Sequence, residues 1–125
     1  MKLTDAEWTL FEVLWSGERF ALKEITKALS PTLGWNRNTV YTYLIRMEAK
    51  GLVAIDREHP KPYRAAVTRE ECAREEREAL LSKVYGGAAG DLIAAFLKES
   101  SISAEEAAKL RQMLDEMEEI GRAHV

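Results

Sequence analysis

The sequence is poor in the residues that build covalent cross-links, metal centres and catalytic bases. Cys72 is its only cysteine, so no internal disulfide can form, and no other cysteine or histidine stands at ligand spacing from it. It falls in a charged helical stretch and reads as a small, partly buried apolar residue. The two histidines, His59 and His124, sit in a loop and at the C-terminal end, without the neighbours of a catalytic base. No nucleophile is paired with a base at plausible spacing and there is no phosphate loop, so an enzyme is not expected. Nor is a cofactor or a metal site. Apolar runs are short as well: none approaches the ~20 residues of a membrane span. Met1-Lys2-Leu3-Thr4-Asp5 passes directly into a helix pattern without the apolar segment of a signal peptide. The expectation is a cytoplasmic chain with no membrane insertion.

What is present is 125 residues, 46% hydrophobic and 31% charged, the balance of an ordered globular protein. That length makes one modest domain, or two small ones that need each other to bury enough surface. A net charge of −3 disfavours a polyanionic partner until its distribution is read. Residues 1–68 hold ten Lys/Arg against eight Asp/Glu, and residues 69–125 hold eight against thirteen. The front half can carry a local basic surface while the acidic back half sets the sign of the whole.

Residues 35–51, beginning at Trp35, organise the rest. At helical period they place Val40, Tyr43, Leu44 and Met47 on one side and Asn38, Thr42, Ile45 and Ala49 on the other. Tyr41 and Arg46 flank the second side, whose small polar, aromatic and cationic groups can reach base edges and phosphates. A solvated face would look the same in isolation. Ahead of it, Thr4-Asp5-Ala6-Glu7 is a capping box with Leu3 and Trp8 as hydrophobic staple. It opens a helix striped by Trp8, Phe11, Leu14 and Trp15 and ended by Ser16-Gly17. A short second helix carries Leu22, Ile25, Ala28 and Leu29 and closes at Ser30-Pro31. The turn Thr32-Leu33-Gly34 then completes a helix-turn-helix outline.

After Gly51 the period becomes that of extended chain. Residues 52–55 and 63–67 read as two strands, joined through the stiff tip Arg57-Glu58-His59-Pro60-Lys61-Pro62. Three helices followed by a hairpin is the order of a winged helix. The remainder is helical. Thr68-Arg69-Glu70-Glu71 is a second capping box, for a helix with Cys72, Leu80, Leu81 and Val84 among its apolar positions. Tyr85-Gly86-Gly87 breaks it, and a short helix follows with Leu92, Ile93, Phe96 and Leu97 on its buried side. Ser103-Ala104-Glu105-Glu106 caps a last helix in which Ala107, Leu110, Leu114 and Met117 recur at spacings of three and four. Three such helices make a poor core alone, so their stripes are expected to bury against a second copy of the chain. The fold class is therefore mainly α with a small β-hairpin: a winged helix-turn-helix over residues 1–68 and a three-helix dimerisation region over 69–125.

In this order the motifs resemble the penicillinase repressor family, the β-lactamase and methicillin-resistance repressors with their copper-responsive relatives. The likeness is carried by Leu3 through Trp8 with Trp15, and by Trp35 with Asn38-Thr39-Val40. Arg46 through Val53, Tyr63-Arg64, Val67 through Glu71 and Val84-Tyr85-Gly86-Gly87 extend it. The resemblance implies a homodimeric repressor whose winged helices read a palindromic operator duplex and whose C-terminal helices exchange between subunits. Within that frame Asn36, Arg37, Asn38 and Thr39 open the reading helix, where free amides favour a phosphate. Tyr41, Thr42, Ile45 and Arg46 are the candidates for groove contacts, and Lys50, Arg57 and Lys61 for phosphates. The dimer candidates are Leu80, Leu81, Val84, Tyr85, Leu92, Phe96, Leu110, Leu114 and Met117. Copper-responsive relatives carry paired C-terminal cysteines, whereas this chain ends Ile120-Gly121-Arg122-Ala123-His124-Val125, without the soft ligands Cu(I) requires. Antibiotic-responsive members are cut by a sensor protease at an Asn-Phe bond, and the matching pair here is Ala95-Phe96. Two other readings stay open on residues alone: a winged-helix module that binds another protein, and a DNA-binding regulator triggered by a small ligand.

Overall fold

The reciprocal bonds of the first capping box form as its sequence requires. Thr4 Oγ1 accepts from the Glu7 amide at 3.2 Å, and the Glu7 carboxylate accepts from the Thr4 amide at 2.8 Å. They start α1, Asp5–Trp15, in a computed structural model that describes residues 2–99 and 101–123. His124 lies outside the described residues. The order continues α2 Leu22–Leu29, α3 Arg37–Ala49, β1 Val53–Ile55, β2 Tyr63–Ala65, α4 Arg69–Tyr85, α5 Ala89–Glu99 and α6 Ala104–Ala123. Two compact units divide at Leu80/Leu81, inside α4. The mainly helical class with one small hairpin and a helical C-terminal region is the one the sequence indicates.

In the first unit, α1 supplies Leu10, Phe11 and Leu14, α2 Ile25 and Leu29, and α3 Val40, Leu44 and Met47, all essentially inaccessible to solvent. The buried row of α1 corrects the expected stripe. Leu10, one turn before Leu14, takes a central place, while Trp8 and Trp15 stand half-buried on the flank with their rings edge to face at 5.5 Å. The large rings cover the edge of a core too small to enclose them. Trp15 also donates its indole N–H to the Val67 carbonyl at 3.0 Å, tying the end of α1 to the segment that leads into α4. Cys72 closes that side of the core as a buried apolar residue, and burial pushes its thiol pKa up.

Gly51 sets where the hairpin begins. Its φ of +79° places it in the left-handed region. The Gly51 and Leu52 amides donate to Glu48 and Met47, at 2.9 Å each, in a Schellman ending of α3. Because the Leu52 amide is spent on the helix, paired strand starts one residue later than expected, and β2 likewise ends at Ala65 rather than Val67. The register is Val53↔Ala65, Ala54↔Arg64, Ile55↔Tyr63, antiparallel. The hairpin has a third partner that no residue pattern signals: Phe20, between α1 and α2, exchanges two backbone bonds with Tyr63 at 2.8 and 3.0 Å.

In the second unit, α6 is capped by Ser103, whose Oγ accepts from the Glu106 amide at 3.1 Å. The expected buried side of α5 is not buried within the chain. Ile93, Phe96 and Leu97 are about half exposed and only Leu92 is partly covered. Two helices present too little apolar surface to each other to cover both stripes. Among the described residues no single helix is long and apolar enough to cross a membrane, and no group of three or more His, Cys, Asp or Glu could hold a metal ion.

Replacing Leu44 by Ala removes the centre of the α3 face from a closed core. It should lower the unfolding free energy by about 2–5 kcal/mol, measured by urea denaturation followed by circular dichroism.

Candidate nucleic-acid interface

The residues predicted to read a ligand lie on α3 and the hairpin, and the core fixes which way they point. With Val40, Leu44 and Met47 inward, the 100° step per residue turns Asn38, Thr42 and Ala49 outward, and all three are exposed. Asn36 is the N-cap. Its Oδ1 accepts from the Thr39 amide at 2.9 Å, so it shapes the helix start with that oxygen. The Val40 amide makes the first helical bond, to Asn36 at 3.1 Å. The positive end of the helix dipole is thereby presented beside exposed Arg37 and Asn38. Thr42 donates its hydroxyl to the Asn38 carbonyl at 2.9 Å, which leaves the oxygen lone pairs and methyl for an outside partner.

The outward strip has two different flanks. On one, Arg46 sits 5.4 Å over the Tyr43 ring, and Tyr43 stacks on Trp35 with centroids 4.2 Å apart and planes at 21°. Tyr43, read from sequence as a core residue, is instead half-buried between a tryptophan and an arginine. A guanidinium resting on an aromatic face loses fewer conformers on binding than a free one. Asn38, Thr39, Thr42, Tyr43 and Arg46 line a shallow cleft there of about 380 Å³.

The other flank faces the hairpin across a cleft of about 230 Å³ lined by Tyr41, Ile45, Ile55, Arg57, Pro62 and Tyr63. Tyr41 is exposed, Ile45 half-buried, and burial raises the pKa of Tyr63. Arg57 grips Glu48 of α3 with both ends of its guanidinium, Nη2 to Oε1 at 2.8 Å and Nη1 to Oε2 at 2.9 Å. Hydrogen bonds from Arg57 hold the Glu48 carboxyl below its usual range, and the same bonds raise Arg57. Lys61 at the tip lies 3.5 Å from Glu24 of α2, whose pKa is lowered mainly by the Ala21 amide it accepts from and then by Lys61. Arg57 and Lys61, expected as phosphate contacts, therefore each carry a carboxylate partner within the chain. Lys50 is the exposed C-cap of α3. His59 accepts the Lys61 amide on Nδ1 at 2.9 Å, a turn contact that occupies one ring nitrogen.

Sequence reasoning missed the stack under Arg46 and the Glu48 partner. The first had a signal, since Tyr43 and Arg46 are three apart on a helix preceded by Trp35. The second had none, because Glu48 and Arg57 meet only through the hairpin fold.

The dimer candidates are uncovered to different degrees. Leu80, Val84, Phe96, Leu110, Leu114 and Met117 are 39–68% exposed, whereas Leu81, Tyr85 and Leu92 are partly covered. Within the second unit, Ile93 and Leu97 of α5 and Leu110, Met113, Leu114 and Met117 of α6 line an apolar groove of about 390 Å³. Ala95 is half-buried and Phe96 56% exposed, both inside α5.

The chain is similar to known proteins over almost its whole length. A family model described as penicillinase repressor matches residues 3–116. The penicillinase repressor of Bacillus licheniformis is 27% identical over 116 residues, covering 92% of this chain and 91% of that protein. The methicillin resistance regulatory protein MecI of Staphylococcus aureus (strain N315) is 23% identical over 117 residues, covering 91% and 94%. With that match spanning every element from α1 into α6, and the three-helix-plus-hairpin order found in the structure, the chain belongs to the penicillinase repressor family of winged-helix, DNA-binding transcriptional repressors.

Proposed function

We propose that this protein represses transcription as a homodimer, reading a palindromic operator with α3 while the hairpin contacts phosphates. The observation that carries the reading is the outward strip of α3, which is polar and flanked by a stacked arginine, with no element of its own unit over it. Arg46 is the principal reader of a base edge, Thr42 and Ile45 contact bases beside it, and Tyr41 borders the wing-side cleft. Arg37, Asn38 and Lys50 meet phosphates at the two ends of the helix.

The distribution of exposed apolar surface favours DNA over a protein partner at this face. Among the described residues, Tyr41 is the one exposed large apolar side chain of the first three helices and the hairpin, and the others run from Leu80 to Ile120. Such a run of uncovered leucine, methionine, isoleucine and phenylalanine fits burial against a second copy. A dimer also multiplies two weak half-sites into a usable affinity. Proteolysis at Ala95–Phe96 belongs to the same proposal, with a sensor protease as partner. The cut would detach α6, and with it Leu110, Leu114 and Met117, from the DNA-reading part of the chain.

Selection from a random duplex pool should enrich a palindromic sequence bound with strong salt dependence. If no duplex is enriched over random DNA at moderate salt, the reading fails. On the selected duplex, Arg46→Ala should weaken binding by about 1–3 kcal/mol in fluorescence anisotropy with an unchanged circular dichroism spectrum. Leu114→Glu should convert the dimer to a monomer in sedimentation velocity and abolish tight operator binding while leaving the first unit folded.

A further inference from the structure

The hairpin holds Arg57 and Lys61, the basic groups of its tip, against carboxylates, which is an unexpected arrangement for a wing that meets a polyanion. Arg57 is bound by Glu48 at 2.8 and 2.9 Å, and Lys61 lies 3.5 Å from Glu24. Asp56, at the start of the tip, reaches Arg19 at 3.9 Å. Of these the Glu48–Arg57 pair alone joins the hairpin to the reading helix, and it alone is bidentate. Glu48 lies three residues beyond Ile45, on the flank of α3 that faces the hairpin. An uncompensated carboxylate there would repel approaching phosphates.

Two roles for the pair make opposite predictions. If Glu48 merely competes with DNA for Arg57, its charge is a cost to binding. If it orients Arg57, its charge is a benefit. The geometry favours orientation. A guanidinium has five N–H donors in a rigid fork, and Glu48 takes one from each terminal nitrogen, leaving three for another acceptor. The Arg57 side chain is 62% exposed despite the pair, against 30% for Glu48. The carboxylate is thus the more covered partner and the guanidinium keeps an open side. On its other side Arg57 lines the cleft that Tyr41 and Ile45 of α3 share with Tyr63 of the hairpin.

We propose that Glu48 is a positioning residue for DNA binding: its carboxylate fixes the Arg57 fork between α3 and the wing, so that the free N–H groups grip a backbone phosphate. This role rests on the operator-binding function proposed above. It makes Arg57 a prepared contact, immobilised before DNA arrives, with less side-chain entropy left to lose on association. It also ties the placement of a phosphate contact to the rotation of the reading helix, because Glu48 belongs to α3.

The test is anisotropy on the duplex enriched by the wild-type protein, across a salt series, with Glu48→Gln, Arg57→Ala, Arg57→Lys and the Glu48→Gln/Arg57→Ala pair. Glu48→Gln removes a negative charge from the interface, yet it should weaken binding several-fold and make the plot of log affinity against log salt shallower by about one unit, as loss of one phosphate contact does. Arg57→Lys keeps the charge but loses the fork, and should weaken binding as well. With Arg57→Ala already present, Glu48→Gln should no longer weaken binding. Tighter or unchanged binding by Glu48→Gln, or an equal loss in both backgrounds, overturns the positioning role. If the wild type binds a duplex and Arg46→Ala weakens it while Glu48→Gln does not, only this role falls. If the wild type enriches no duplex, the operator-binding reading falls and this one with it.

Discussion

The rotation of α3 about its own axis is the constraint on which the rest of the first unit depends, and three side chains set it. Val40, Leu44 and Met47 close against Leu10, Phe11 and Leu14 of α1 and Ile25 and Leu29 of α2 in one cluster from which solvent is excluded. A helix held on such a row cannot turn by one residue without carrying an apolar side chain out and a polar one in. At roughly 0.8 kcal/mol per methylene exposed, that error costs more than any surface contact on the other side could return. The direction in which Arg46 and Thr42 point is therefore a property of the core.

Given that orientation, the two flanks of α3 secure arginines by different physics. Arg46 rests on the face of Tyr43, itself on Trp35, a contact of polarisable rings that salt screens little. Arg57 is held by a charged pair at the surface, which salt does screen. The two flanks therefore differ in their response to ionic strength even before DNA is present. Such exposed pairs contribute little to folding, so the value of the Glu48–Arg57 contact lies in placement rather than stability.

Much of this architecture was legible in the residues because local signals agreed with one another. The Thr4–Glu7 box, the Ser103 cap and the glycines after α3 and α4 each marked a boundary that the structure places within a residue or two. The inward row of α3 followed from period alone. Pairings between segments distant in sequence were not legible. Phe20 joins Tyr63 through backbone groups that every residue but proline possesses, and Trp15 reaches a carbonyl 52 residues away. The strands were overread because apolar residues at 52 and 67 look like strand whether or not their amides are free, and the Leu52 amide belongs to α3. Buried and exposed apolar stripes also look alike in sequence. The side of α5 that the pattern marked as buried is uncovered in the single chain, whose stripes were expected to close against a second copy. Of the candidate interface, the composition of the outer face of α3 was readable, but the company kept by Arg46 and Arg57 was not.

The three tryptophans fall into two sets with different surroundings. Trp8 and Trp15 lie against each other on α1, and Trp15 is hydrogen-bonded to the backbone. Trp35 stands apart from them, stacked on the ring that carries Arg46. Trp35 thus lies one ring away from the guanidinium of Arg46. Substitution of Trp8 and Trp15 by phenylalanine would leave it as the sole tryptophan of the chain, a fluorophore beside the candidate reading arginine.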